Sequence, residues 1–210
     1  MTVPHTVAAQ RERRAPTPQS RSRKLLLVSR AAALFHRAGV RAVSVEDIVL
    51  ASGASRPTLY RYFPSKDDLV LACVEWQTAR LFQMLDAAMA TVAEPRAQVL
   101  AALRLFVGAA GHVDGGILAI DVAREFSDED HPVRQAACKA IQQIHERLAR
   151  PLTAALGGRA ELITAQVVLL VLGARISVSL IGQKATAEIL IASAERLLED
   201  AGACSLTARP

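Results

Sequence analysis

Residues 44–66, SVEDIVLASGASRPTLYRYFPSK, constrain the fold more than any other stretch of this chain. Ser44 has the side chain of an N-cap, and Asp47 follows three residues later, a variant of the capping box in which Glu or Gln is usual. Val45, Ile48 and Val49 then fall on one inward face. Gly53 supplies a turn, where a positive φ is cheap only for glycine. Ser55 caps the next helix, and Pro57 sits in its first turn, where a missing N–H costs little. Leu59 and Phe63, four apart, point inward before Pro64 ends the helix. Two short helices about a glycine form a helix-turn-helix, the arrangement that lays its second helix in the major groove of DNA.

The remainder reads as helix. Hydrophobic residues make up 51% of the 210 residues and aromatics only 4%, while alternating β-branched runs are nearly absent. The expected class is all-α: an N-terminal three-helix helix-turn-helix domain followed by a larger helical ligand-binding and dimerisation domain. The expected partition is a basic flexible arm over 1–20, the DNA-binding domain over 21–66, the regulatory domain over 67–204 and a flexible tail over 205–210. Helix one is expected from Ser20 or Ser22 to Ala38, with Leu27, Ala31, Leu34 and Phe35 on one apolar face and Gly39 at its C-terminal cap. Ser65 caps a long helix from Lys66 to about Thr91, with Asp67 and Asp68 favourably placed in its first turn. Further helices are expected at about 95–110, 116–125, 131–156, 160–181 and 185–200, separated by Gly/Asp clusters at 111–116, by Ser127–Asp130 with Pro132, and by Gly157–Gly158.

Charge is unevenly placed along this pattern. Residues 1–24 hold six basic side chains against one acid, residues 25–68 hold six against four, and residues 69–210 hold thirteen against fifteen. The positive third coincides with the helix-turn-helix, which suits a polyanionic partner through release of condensed counterions. Cys73, Cys138 and Cys204 lie far apart with no metal-ligand spacing, and read as reduced thiols of a cytoplasmic protein. The N-terminal residues lack the apolar core of a secretory signal. Leu162–Ile181 has near-membrane length, but Gln166 and Arg175 interrupt it. A helix buried in a core, or against a second subunit, accounts for it better than insertion in a membrane.

With Leu59 and Phe63 inward, Arg56, Pro57, Tyr60 and Arg61 share the opposite face of the second motif helix. Each arginine offers a bidentate fork to guanine, Thr58 offers a hydroxyl or methyl, and Tyr60 and Tyr62 offer hydroxyls to phosphates. Ser44, Ser55 and Lys66 stand at helix N-termini, where backbone N–H groups favour phosphate. The run AAALFHRAGVRAVSVEDIVLASGASRPTLYRYFPSKDDLVLA resembles the DNA-binding domain of the TetR/AcrR family of bacterial transcriptional regulators. The likeness covers the Gly-x4-Ser-Val-x-x-Ile segment, the Ala-x-Gly turn, the Thr-Leu-Tyr-x-Tyr-Phe block and the following Lys-x-x-Leu. Two positions depart, with Val49 and Ser52 standing where the family commonly has Ala. The resemblance implies a homodimer that reads a palindromic double-stranded operator through Ser44, Ser55, Arg56, Pro57, Thr58, Tyr60, Arg61, Tyr62 and Lys66. It also implies a repressor released by a small-molecule effector, the alternative being a regulator without a ligand, controlled by dimerisation or a protein partner.

After residue 75 only GGILAIDVAREFSDEDHPVRQAACKAI and LLVLGARIS resemble a C-terminal type of this family. Pairing of the last two helices with those of a second copy is implied, using the apolar 162–181 helix with Ile189, Leu190, Ala194, Leu197 and Leu198. The small residues Ala165, Gly173, Ser177, Ala187 and Ala194 would permit close approach. Candidate ligand-pocket walls are Trp76, Leu103, Phe106, Ile117, Ile120, Ile141 and Val171, with His112, His145 and Arg175 as possible polar anchors. Arg175 is the most unusual of these, because a charge on an apolar helix needs a partner: an acid of another subunit, a ligand carboxylate or a water-lined edge. No nucleophile elbow, zinc, phosphate-loop or dinucleotide motif appears, so no enzyme activity, cofactor or metal is expected.

Overall fold

The computed structural model describes residues 17–109 and 117–206. The first sixteen residues, the 111–116 cluster with His112, the side chain of Cys204 and the end of the tail lie outside the described residues. The described residues form α-helices and one short 3-10 turn, without strands: α1 (Pro18–Ala38), α2 (Val45–Ser52), α3 (Arg56–Tyr62), α4 (Lys66–Ala90), α5 (Pro95–Ala109), α6 (Leu118–Glu125), α7 (Pro132–Leu156), α8 (Ala160–Ile181) and α9 (Gln183–Leu206).

Helix α1 begins earlier than its serines suggest. Thr17 caps it by accepting from the Ser20 N–H, and Pro18 opens the first turn. At its other end Gly39 has φ +83°, its N–H bonded to Phe35 O at 2.8 Å. Both predicted serine caps of the motif helices form. Ser44 and Asp47 exchange the two bonds of a capping box, Ser55 accepts from the Thr58 N–H, and Gly53 turns the chain at φ +64°. Such a cap stabilises its helix by about 1 kcal/mol. A second capping box, Ser65 with Asp68, starts α4.

Helices α1–α3 close over Leu27, Ala31, Phe35, Ile48, Leu59 and Phe63, all buried, and Leu69, Val70 and Cys73 of α4 seal the underside. Val45 and Val49 are partly buried against the same cluster. The Cys73 thiol bonds Val28 O at 3.4 Å, and burial pushes its pKa up, so it is an inert core group. Helix α4 continues into the larger domain. There Leu81 and Leu85 join Val99 and Leu103 of α5, Ile144, Leu148 and Leu152 of α7, Val167 of α8 and Leu198 of α9. Helices α8 and α9 fold back on each other at Gly182.

Helix α9 starts before and ends after the expected 185–200. Its apolar positions divide between two directions. Leu190, Ala194 and Leu198 are buried in the chain's own core, whereas Ile189 is 57% exposed. The expectation that all of these meet a second copy is therefore corrected, with Ala194 in particular a core residue. Helix α8 is likewise two-sided. Ile163, Thr164, Val167 and Val171 face in, while Leu162, Leu169, Ile176 and Leu180 remain exposed.

Candidate nucleic-acid interface

The predicted outer face of α3 is formed by the residues the sequence placed there. Arg56, Pro57, Tyr60 and Arg61 are exposed, and Leu59 has no accessible surface. The two arginines differ in their surroundings. Arg56 bonds Glu46 of α2 at 2.8 Å and lies 5.8 Å from the Tyr60 ring centre. The Tyr60 hydroxyl and the Glu46 carboxylate together push its pKa up, so it remains a cation. Arg61 has no carboxylate partner among the described residues and leans on the Tyr62 ring at 5.2 Å. Its guanidinium is therefore the freer fork for a base edge.

Several hydroxyls expected to meet DNA are engaged within the chain. Thr58 Oγ1 and Ser55 Oγ are hydrogen-bonded at 2.9 Å. The Tyr62 hydroxyl shares a hydrogen bond of 3.1 Å with Ser20 of α1, and that contact lowers its pKa. Ser44 donates to Asp47 Oδ2 from both its N–H and its hydroxyl, at 2.9 and 2.6 Å. These bonds hold the Asp47 carboxyl below its usual pKa. A carboxylate thus sits at the start of α2, where a phosphate was expected, while the first turn of α3 contains no acid. Lys66 is half-buried in the first turn of α4. The Ser20–Tyr62 bond also places the start of α1 beside α3, so Arg23 lines a shared cleft with Arg61 and Tyr62.

Sequence reasoning missed how this unit is fastened to the rest of the molecule. Glu125, the last residue of α6, accepts from the Val40 N–H at 3.0 Å and the Arg41 N–H at 2.8 Å, at the corner between α1 and α2. A Cβ at residue 39 would lie 3.0 Å from the same carboxylate, so Gly39 permits the approach as well as the turn. One helical turn earlier, Asp121 accepts from Arg175 Nη2 at 2.8 and 2.9 Å and lies 3.5 Å from His36 Nδ1 of α1. At 3.5 Å the histidine is attracted without a well-formed hydrogen bond, and its Nδ1 is buried with no other partner. Burial works to raise the Asp121 pKa, but His36 and Arg175 outweigh it and hold the carboxyl below its ordinary value. The charge on Arg175 is thereby answered within its own chain. The available signal was an Asp and a Glu four apart in DVARE, which share a helix face.

A second link lies nearby. His131 caps α7 by accepting from the Val133 N–H, and its Nε2 lies 3.4 Å from Asp67 at the start of α4. The candidate pocket walls are distributed as follows. Leu103 and Phe106 of α5, Ile117 before α6 and Val171 of α8 are buried, while Trp76, Ile120, Ile141 and His145 are half-buried. Among the described residues no His/Cys/Asp/Glu cluster suited to a metal occurs.

Residues 27–73 match the family model described as bacterial regulatory proteins, tetR family. The regulator EthR of Mycobacterium tuberculosis is 34% identical over 84 residues, which are 40% of this chain and 37% of EthR. The Mycolicibacterium smegmatis EthR is 28% identical over 112 residues, 53% of this chain and 52% of that protein. The whole fold is similar to that of SCO4454, a TetR-family regulator from Streptomyces coelicolor, with TM-score 0.80 at 23% identity over 91% of this chain and 98% of that one. Residues 27–73 thus carry the DNA-binding region of the tetR family. Reduced NemR of E. coli, with TM-score 0.72 at 18% identity over 84% and 97% of the two chains, shares the same TetR-family fold. The sequence matches to EthR thus span from about a third to half of those relatives, whereas the fold likeness to SCO4454 covers 91% of this chain.

Proposed function

We propose that this TetR-family chain is a cytoplasmic, homodimeric repressor that reads a palindromic operator and leaves it when a small molecule binds the larger domain. The observation that carries the DNA reading is the outer face of α3: Arg56, Tyr60 and Arg61 project together from a helix fixed underneath by Leu59 and Phe63. Base contacts come from this face, and Ser44, Ser55, Pro57, Thr58, Tyr62 and Lys66 position it. For Tyr62 and Ser44 this means exchanging an internal bond for a phosphate.

Dimerisation is supported by the uncovered stripe on α8. Leu162, Leu169, Ile176 and Leu180 recur at intervals of seven, seven and four and are 63%, 67%, 63% and 76% exposed. An apolar stripe of this spacing suits a second helix pair. The stretch within Pro132–Ile181 also passes, by length and composition, for a membrane span. The Arg175–Asp121 ion pair on its inner face favours protein as the neighbour. Release by a ligand rests on the size of the apolar domain between α4 and α8. In this reading the effector must bind the two conformations with different affinity. Genome-wide footprinting of the purified protein tests the DNA reading by yielding a recurrent inverted repeat. A thermal-shift ligand screen tests release, which requires that a stabilising compound also lower affinity for that repeat.

A further inference from the structure

Helix α6 is short, and its own N-cap residue, Ile117, contributes no side-chain bond. Its ends are held by other elements. The Leu118 N–H donates to Gln77 Oε1 of α4 at 2.7 Å. Arg134 of α7 donates to Ala123 O at 2.7 Å and Phe126 O at 2.9 Å. The acidic face of α6 then looks two ways, with Glu125 toward the α1–α2 corner and Asp121 toward both His36 and Arg175. Arg175 comes from α8, the helix whose opposite side carries the exposed Leu162–Leu169–Ile176 stripe.

We infer that Arg175 is a positioning residue for the DNA-reading domain: from α8 it fixes the Asp121–Glu125 face of α6, and that face clamps the α1–α2 corner. The physical reason is the nature of the restraint. Two backbone N–H groups donate to one carboxylate, and a guanidinium donates to the other, so the links are charge-assisted and directional. A sliding apolar contact would leave the corner free to rotate, whereas these bonds define one orientation. Without Arg175, the half-buried Asp121 carboxylate keeps His36 as its remaining partner among the described residues, and α6 loses its tether to α8. The corner that carries α2, and through it α3, then samples more orientations. The inference rests on the DNA reading only for its consequence, not for the clamp itself.

The test uses the full chain with Arg175→Gln, Arg175→Lys and Glu125→Gln. Amide hydrogen exchange is read at Val40 and Arg41 at the corner, and at Leu148 and Leu152 in the α7 core. Affinity is read on a duplex that the wild type itself selects from a random pool. Arg175→Gln should speed exchange at Val40 and Arg41 by about tenfold, the scale of one charge-assisted bond, while Leu148 and Leu152 stay protected. Glu125→Gln should do the same from the other end of the clamp, and Arg175→Lys should restore part of the protection. The two neutral variants should also weaken the selected duplex about fivefold, on the scale of such a coupling. Unchanged corner amides in Arg175→Gln overturn the inference, as does faster exchange of corner and core together, because either assigns Arg175 no positioning role. A variant too unstable to purify counts with the second result. A wild type that selects no sequence overturns the DNA reading alone, and the exchange measurements still decide the clamp.

Discussion

Leu169→Glu should convert the protein from dimer to monomer without unfolding it. Leu169 is 67% exposed in the single chain, so its replacement leaves the core of each subunit intact, and a surface change of this kind is worth about 0.5 kcal/mol or less. In the proposed dimer the same position is covered. Burying a whole leucine side chain is worth about 1.5–3 kcal/mol, so the two-thirds still exposed contribute about 1–2 kcal/mol per copy. Symmetry doubles this to about 2–4 kcal/mol, because both subunits lose the leucine. The two introduced carboxylates must also leave water without partners, at a cost of several kcal/mol each before relaxation. A total of at least about 4 kcal/mol raises the dimer dissociation constant about a thousandfold. Sedimentation equilibrium over a wide concentration range, with thermal unfolding as the control, measures both halves of the claim. A Leu169→Glu protein that keeps the wild-type mass and dissociation constant refutes the assignment of the α8 stripe, and so does a wild type that is monomeric throughout.

Arg61→Ala should cost about 1–3 kcal/mol of operator binding and relax preference at one base pair per half-site, read by repeating the DNA selection. Arg56→Ala should cost less, because Arg56 must first give up Glu46. Removing residues 1–16, with Arg11, Arg13 and Arg14, should lower affinity and flatten its dependence on salt by up to about 2.7 in logarithmic slope if all three meet phosphate. An unchanged slope would show that the arm stays off the DNA. The depressed Asp121 pKa gives a signed pH effect. The unfolded chain takes up a proton at a higher pH than the folded one, so the stability from this group is complete above the ordinary carboxylate range and drains away as pH falls through and below it. In Asp121→Asn, unfolding midpoints should therefore decline less steeply below about pH 4 than in the wild type.

What could be read from the sequence was local. Ser44 with Asp47, Ser55 with Thr58 and Gly53 between them act over three or four residues, so spacing and side-chain chemistry were enough to place α2, the turn and α3. The same reasoning placed Leu59 and Phe63 inward and Arg56 and Arg61 outward, because a helix of known register has only two sides. It misjudged the start of α1, where Thr17 followed by Pro18 is a complete cap and Ser20 instead bonds Tyr62. It also misjudged α9. Periodicity shows that Leu190, Ala194 and Leu198 share a face, but not whether the atoms opposite belong to the same chain or to another. The Glu125 bond to Val40 spans 85 residues, and Arg175 reaches Asp121 across 54. Such pairs depend on how helices approach, which no local pattern encodes, and an exposed-looking acid four residues from another is common on any helix.

The placement of Arg175 has a thermodynamic consequence that goes beyond the contacts themselves. In the proposed dimer one helix, α8, presents its exposed outer stripe to a second copy, while Arg175 on the same helix holds Asp121 of the proposed clamp. If joining two copies narrows the range of positions open to α8, it narrows the range open to the α1–α2 corner as well. Part of the ordering that DNA binding requires is then already complete in the dimer. Linkage makes this reciprocal: whatever factor dimerisation adds to operator affinity, the operator adds to dimer affinity. An effector that moves α6 would act on both equilibria through the same few bonds. The polar clamp suits that role better than a larger apolar contact would, because four directional bonds define one orientation and can be exchanged for water at modest net cost, whereas an apolar contact can slide without releasing the corner.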